Sequence, residues 1–320
     1  MVMKCFVVSI IGLGVSVPFT SVKHYDTFEK MRIVFMQFMG IMGMHLTMKG
    51  KKMFENQVVW ITGASSGIGE ALALEMAAAG AKLVLSARRK EELERVAALA
   101  KERGCTEVFV LPLDVTNFDS HQGVMDSVLK KFGHIDVLIN NAGIGQASLI
   151  VRTDMETYRK LFEVNFFSQI ALTKTVLPHM LKRKSGHIAV TSSVSGKVGS
   201  ASRAGYSATK HAILGWFDCL RVEGAQHGLK VTTIVPGYIN TPISYSSLRG
   251  NGEPYKKVNE DNALGMDVTK CAKVVMKGFR KNKDEIAVGS GIEMWATTLR
   301  YWAPKLLFKL TEKRTPRYDV

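Results

Sequence analysis

The sequence predicts an α/β domain, a doubly wound parallel sheet preceded by an apolar, anchor-like N-terminal extension. Two observations carry this. From Gln57 onward, short apolar runs of strand length alternate with helical stretches rich in Ala, Leu and Glu, as in a parallel sheet covered on both faces. A glycine-rich turn also joins the first apolar run to the first helical stretch. Crossovers between parallel strands are almost always right-handed, which gives the doubly wound arrangement. No internal repeat or low-complexity linker follows residue 57, so residues 57–290 read as one domain between an N-terminal segment, 1–56, and a tail, 291–320.

The first 56 residues hold nine of the 16 methionines and two apolar stretches without Lys, Arg, Asp or Glu, at 5–22 and 33–48. A helical membrane span needs about 20 apolar residues. Both stretches are shorter, and Ser9, Pro18, Gln37 and His45 interrupt them. An uncleaved signal anchor or membrane hairpin fits them, as does a cleaved signal peptide. An amphipathic leader and extra helices packed on the core also stay open. The first reading implies the endoplasmic reticulum membrane, the second secretion. Lys49, Lys51 and Lys52 follow, a cluster suited to the cytoplasmic side of a membrane.

Val58–Thr62 is expected to be the first strand and Ile68–Ala79 the first helix. Lys82–Ala87 reads as strand and Glu91–Arg103 as a charged amphipathic helix. Val108–Leu113, Val137–Asn140, His187–Thr191 and Lys230–Val235 read as further strands. Tyr238–Gly265, rich in Ser, Gly and Asn, is expected to cover the substrate as a mobile lid or to be plain disorder. Tyr245, Leu248 and Tyr255 are its candidate apolar contacts. In the tail, basic residues stand among large apolar ones from Trp295 to Arg317, suiting either a membrane surface or a terminal helix packed on the core.

Composition narrows the function. The chain has 320 residues, 46% hydrophobic and 22% charged, enough for a large core. Its net charge of +15 implies an anionic partner: polyanion, membrane surface or phosphorylated ligand. No nucleic-acid recognition motif accompanies that charge. The four cysteines are scattered, without CxxC or a companion His cluster, so reduced thiols are expected and neither zinc nor a disulfide framework is. His187 and His211 lack ligand spacing.

Thr62-Gly-Ala-Ser-Ser-Gly-Ile-Gly69 is the glycine turn. Gly63, Gly67 and Gly69 let the backbone turn and approach a pyrophosphate, while Ser65, Ser66 and Ile68 lead into a helix N-terminus that presents free N–H groups. The spacing, G-x-x-x-G-x-G, departs from the generic G-x-G-x-x-G. At the end of the next strand, where an acidic residue would bind a ribose 2′-OH, stands Ala87, followed by Arg88 and Arg89. Guanidinium groups suit a 2′-phosphate. NADP(H) is therefore preferred and NAD(H) possible, unless the arginines are solvated helix-start charges.

Tyr206 and Lys210 are four residues apart, on one face of a helix. A phenol with a pKa of about 10 is a poor acid at neutral pH. A neighbouring ammonium lowers it, and the pair then serves as a general acid/base. Any surface helix also produces this spacing.

Together, Thr62–Gly69, Asn140-Asn-Ala-Gly143, Asn165, Ser193, Tyr206-x-x-x-Lys210 and Pro236-Gly237 resemble the short-chain dehydrogenase/reductase family over residues 57–290. The segment from Pro236, the loop after it and the tail from Leu299 are similar to the dehydrogenase/reductase member 7 group. The resemblance implies a Rossmann-type fold and a carbonyl–alcohol oxidoreductase with a lipidic substrate such as a steroid or retinoid. An NADP(H)-binding membrane scaffold with little turnover is the alternative. It also implies the roles of individual residues. Tyr206 exchanges a proton with the substrate oxygen, and Ser193, rather than Ser192 or Ser195, hydrogen-bonds that oxygen. Lys210 lowers the Tyr206 pKa and binds the nicotinamide ribose. Asn165 holds a water in the relay to Lys210. Asp114 caps the adenine side and Asn141 lines the pocket. Pro236 and Gly237 pass under the nicotinamide, and Thr241 meets its carboxamide. A homodimer or tetramer is implied as well, and no metal.

Overall fold

The computed structural model describes residues 52–257 and 260–313. The anchor-like segment before residue 52 lies outside these, as does the end of the tail. Seven parallel strands form one sheet: β1 Val58–Thr62, β2 Lys82–Ser86, β3 Val108–Val110, β4 Val137–Asn140, β5 Gly186–Thr191, β6 Leu229–Pro236 and β7 Glu285–Val288. Their order is β3-β2-β1-β4-β5-β6-β7. The chain first builds outward from β1 to β3, then returns to β4 on the other side. The sheet's switch point is therefore the gap between the carboxyl ends of β1 and β4, where a crevice opens in such folds.

The helices are α1 Gly67–Ala78, α2 Lys90–Glu102, α3 His121–Phe132, α4 Met155–Phe162, α5 Ser168–Arg183 and α6 Ala204–Ala225. They continue with the single turn α7 Glu260–Ala263, then α8 Val268–Arg280, α9 Glu293–Trp302 and α10 Pro304–Lys313. All five residues of β1 are buried, because side chains alternate faces and both faces are covered. Val59 and Ile61 pack with Leu72, Met76, Val96 and Val275 of α1, α2 and α8. Val58 and Trp60 point the other way, to Val128, Val176 and Phe217 of α3, α5 and α6. Trp60 is completely buried, and its indole N–H donates to Ser86 Oγ at 2.9 Å.

Two strands differ from expectation. β3 ends at Val110 rather than Leu113. Its extended chain continues nonetheless, since the Leu111 and Leu113 N–H groups donate to Leu85 and Ala87 carbonyls at 3.0 Å, which carries Asp114 to the sheet's carboxyl edge. β7 was not anticipated. The loop after β6 is held by backbone pairings in its described part, Gln146 with Leu248 and Ile239 with Met266. Among the described residues, no helix is long and apolar enough to cross a membrane.

Candidate active site

The glycine turn lies at the switch point. Gly63 has φ +66°, and a Cβ there would come within 2.9 Å of Ala142 Cα. A side chain at Gly69 would collide with the Gly63 carbonyl oxygen and the Asn141 amide. Gly69 therefore packs beneath the turn, while Gly63, Ser65, Ser66, Gly67 and Ile68 face a cavity. Ser66, the N-cap of α1, makes no side-chain cap bond, so its helix end stays available to an anion. Asn141 braces the turn, donating from Nδ2 to Thr62 O at 3.2 Å and accepting on Oδ1 from Thr191 Oγ1 at 3.2 Å.

Arg88 and Arg89 both reach the same cavity. Arg89 Nη2 donates to Ser65 Oγ at 3.3 Å, placing a guanidinium beside the turn. Asp114 lines the cavity close to these arginines. Burial pushes its carboxyl up, but the Thr116 N–H and hydroxyl and the Arg88 charge outweigh that and hold it below the usual carboxylate range.

The candidate catalytic residues gather at the ends of β5 and β6 and the start of α6. Ser193 and Tyr206 both face the cavity, and the Ser193 hydroxyl, which donates to Pro236 O at 3.4 Å and accepts from Ser195 N at 3.1 Å, is near enough to the phenol to lower its pKa. Of the neighbouring serines, Ser192 is occupied, donating from Oγ to Lys210 O at 3.0 Å. Burial raises the Tyr206 phenol above its ordinary value, while Ser193 and the Arg203 charge pull it back. Lys210 Nζ lies 5.7 Å from the Tyr206 ring centre and donates to Thr191 O at 2.7 Å. Burial lowers its ammonium to about 8. Pro236, Gly237 and Thr241 complete this wall.

Asn165 sits one layer behind, with no exposed surface. A π-helical turn, Glu163–Phe167, joins α4 to α5 and carries it; such turns insert one residue and often mark functional sites. Asn165 Oδ1 accepts from Ile144 N at 2.8 Å, and its Nδ2 donates to Ile144 O at 2.9 Å. Its amide thus fixes the 140–144 turn, and a Cβ at Gly143 would meet both Asn165 Oδ1 at 3.2 Å and Lys210 Nζ at 3.7 Å.

Sequence reasoning missed two components. Arg203, the N-cap of α6, supplies no side-chain acceptor. Gln146 Oε1 replaces it, accepting from Gly205 N at 2.7 Å and Tyr206 N at 3.1 Å. The other component is the tail: α9 and α10 line the cavity through Trp295, Leu299, Leu306, Leu307 and Leu310. The Glu293 carboxylate accepts from Tyr238 N at 3.2 Å, tying α9 to the strand end at Gly237. Tyr245, Leu248 and Tyr255 also line the cavity. Its volume is about 2580 Å³, beyond the roughly 300–1,000 Å³ of a typical small-ligand site.

A family model described as short chain dehydrogenase matches residues 57–251. The human dehydrogenase/reductase SDR family member 7 is 39% identical over 262 residues, 81% of this chain and 77% of that protein. A short chain dehydrogenase/reductase from Burkholderia phymatum, solved with NAD, superposes with a TM-score of 0.69 at 23% identity, covering 83% of this chain and 99% of that one. An alcohol dehydrogenase from Thermococcus sibiricus, complexed with 5-hydroxy-NADP, gives 0.63 at 28% identity, covering 74% and 97%.

Proposed function

The chain belongs to the short chain dehydrogenase family, and from that premise we propose that it uses NADP(H) to interconvert a carbonyl and an alcohol on a lipidic substrate. One observation carries the reading: Ser193, Tyr206 and a buried Lys210 line the same cavity as the glycine turn, with Lys210 Nζ 5.7 Å from the Tyr206 ring centre.

The residues suit a dinucleotide. The turn leaves no room for a side chain at Gly63 and offers an uncapped helix N-terminus, a cradle for a pyrophosphate. Arg88, Arg89 and Ser65 would hold a 2′-phosphate, Asp114 the adenine side, Lys210 the nicotinamide ribose, and Pro236, Gly237 and Thr241 the nicotinamide. When bound, the dinucleotide supplies or accepts the hydride.

The protein's own groups manage the proton. In carbonyl reduction Tyr206 donates its phenolic proton to the substrate oxygen, and in alcohol oxidation it takes that proton back. The Ser193 hydroxyl gives the same oxygen a second hydrogen bond as negative charge develops. Lys210, while protonated, stabilises the phenolate left behind. Asn165 is a positioning residue that holds the turn beside Lys210, and in this reading it also holds a water in the proton relay to Lys210. An intact set of this kind argues against a scaffold without turnover.

The apolar tail residues that line the cavity support a lipidic substrate, and the apolar N-terminal stretches support attachment to the endoplasmic reticulum membrane. A homodimer or tetramer is the expected assembly.

The reading is tested by following NADPH and NADH consumption by the purified chain against steroid, retinoid and other lipid carbonyls. NADPH is expected to be the better donor. Arg88→Ala with Arg89→Ala should weaken NADPH by about 1.5–3 kcal/mol, the range for hydrogen bonds to charged groups, and leave NADH nearly unchanged. Equal losses for both donors would remove the 2′-phosphate assignment.

A further inference from the structure

The two tail helices have an unusual surface for elements that wall a cavity. None of the residues of α9 is buried, and in α10 only Leu307 is. Trp302 is 86% exposed and Tyr301 78%, and neither lines the cavity, nor does the half-exposed Phe308. Trp295, Leu306 and Leu310 do both: they line the cavity and remain 69%, 50% and 45% exposed. The apolar cavity wall is therefore continuous with an apolar outer surface.

Charge accompanies that surface. Lys305, Lys309 and Lys313 recur every four residues along α10 and so form one row, all exposed. Like charges at this spacing repel one another, which an anionic surface relieves. Arg300 lies over the Phe308 ring at 5.2 Å, joining the two helices across Pro304. Aromatic residues between cationic side chains match the boundary between headgroups and acyl chains. The whole chain's +15 has the same sign.

We propose that α9 and α10 form a docking face for an anionic lipid bilayer, and that substrate passes from the bilayer into the cavity between Trp295, Leu306 and Leu310. Its second clause rests on the lipid-carbonyl reading; the first does not.

The test uses the full chain and vesicles of phosphatidylcholine with or without phosphatidylserine. With brominated acyl chains, Trp302 fluorescence is expected to be quenched on phosphatidylserine vesicles, and Trp302→Phe should lose that component. Unchanged quenching in Trp302→Phe, or none in the vesicle-bound wild type, overturns the docking face; attachment through residues 1–51 or burial of the face by a second copy gives that result.

The triple variant Tyr301→Ser, Trp302→Ser, Phe308→Ser leaves the cavity lining intact. It should lose about tenfold in kcat/KM for a vesicle-borne lipid carbonyl and keep wild-type turnover of a short soluble carbonyl. Equal turnover of the vesicle-borne substrate by variant and wild type overturns the entry route. If no lipid carbonyl is turned over at all, the substrate reading fails and the entry route with it, while Trp302 quenching still decides the docking face.

Discussion

Tyr206 and Lys210 are each shifted by the same cause in opposite directions. Burial raises the phenol and lowers the ammonium to about 8, since it disfavours whichever form is charged. At neutral pH the phenol therefore holds its proton and the lysine is mostly cationic, the state suited to reducing a carbonyl. As pH rises through about 8, Lys210 loses its charge while Tyr206 stays protonated. We expect kcat/KM for reduction to fall across that interval, and Lys210→Gln to lack that limb as well as most of the activity; a pH–rate profile of both proteins checks this. Gln146 acts differently. Its removal leaves the buried Gly205 and Tyr206 N–H groups without an acceptor, at about 1–3 kcal/mol. Gln146→Ala should lower stability by that order in urea unfolding and lower kcat, whereas Gln146→Glu, which keeps an acceptor, should recover much of both. Tyr206 and Lys210 could be read only once their spacing was joined to the other ordered motifs of the chain. Gln146 could not, because its bonds to α6 bridge 59 and 60 residues and an amide is not a motif.

At the scale of elements, the site depends on where strands stop and helices start. The glycine turn was visible because Gly63 and Gly69 leave room where any side chain would collide. The π-helical turn at Glu163–Phe167 was not, since its extra residue interrupts an otherwise continuous helical pattern without a Gly or Pro. β7 escaped because it is four residues long and alternates exposed and buried positions, too short to show a period beside the charged run before it. His187, in β5, shows how strand pairing couples to pH. Its Nε2 meets Thr232 Oγ1 of β6 at 2.8 Å, and burial with the Lys230 charge lowers its pKa from 6.5 to about 4. The unfolded chain thus takes up this proton first, so the stability His187 contributes is present above about 6.5 and is lost as pH falls toward 4. The melting temperature should drop over that interval, and the drop should be smaller in His187→Asn.

For the whole molecule, the order β3-β2-β1-β4-β5-β6-β7 sets every contributor to the cavity at one edge. β1 and α1 bring the glycine turn, β2 the arginines, β5 and α6 the serine, tyrosine and lysine, and the tail adds apolar residues to the lining. The alternation of apolar runs and helices disclosed this architecture, because a strand buried on both faces must be apolar throughout. The tail's role stayed open in sequence, since a basic–apolar pattern does not say which face a helix turns inward. The central claim is that Tyr206 supplies the proton in NADPH-dependent carbonyl reduction. It is tested most directly by single-turnover reduction of a carbonyl substrate by NADPH-loaded wild type and Tyr206→Phe, with NADPH affinity measured on both. The account predicts NADPH binding unchanged within a few-fold and a hydride-transfer rate lower by about 10²–10⁴-fold in the variant. Equal rates in the two proteins would contradict it.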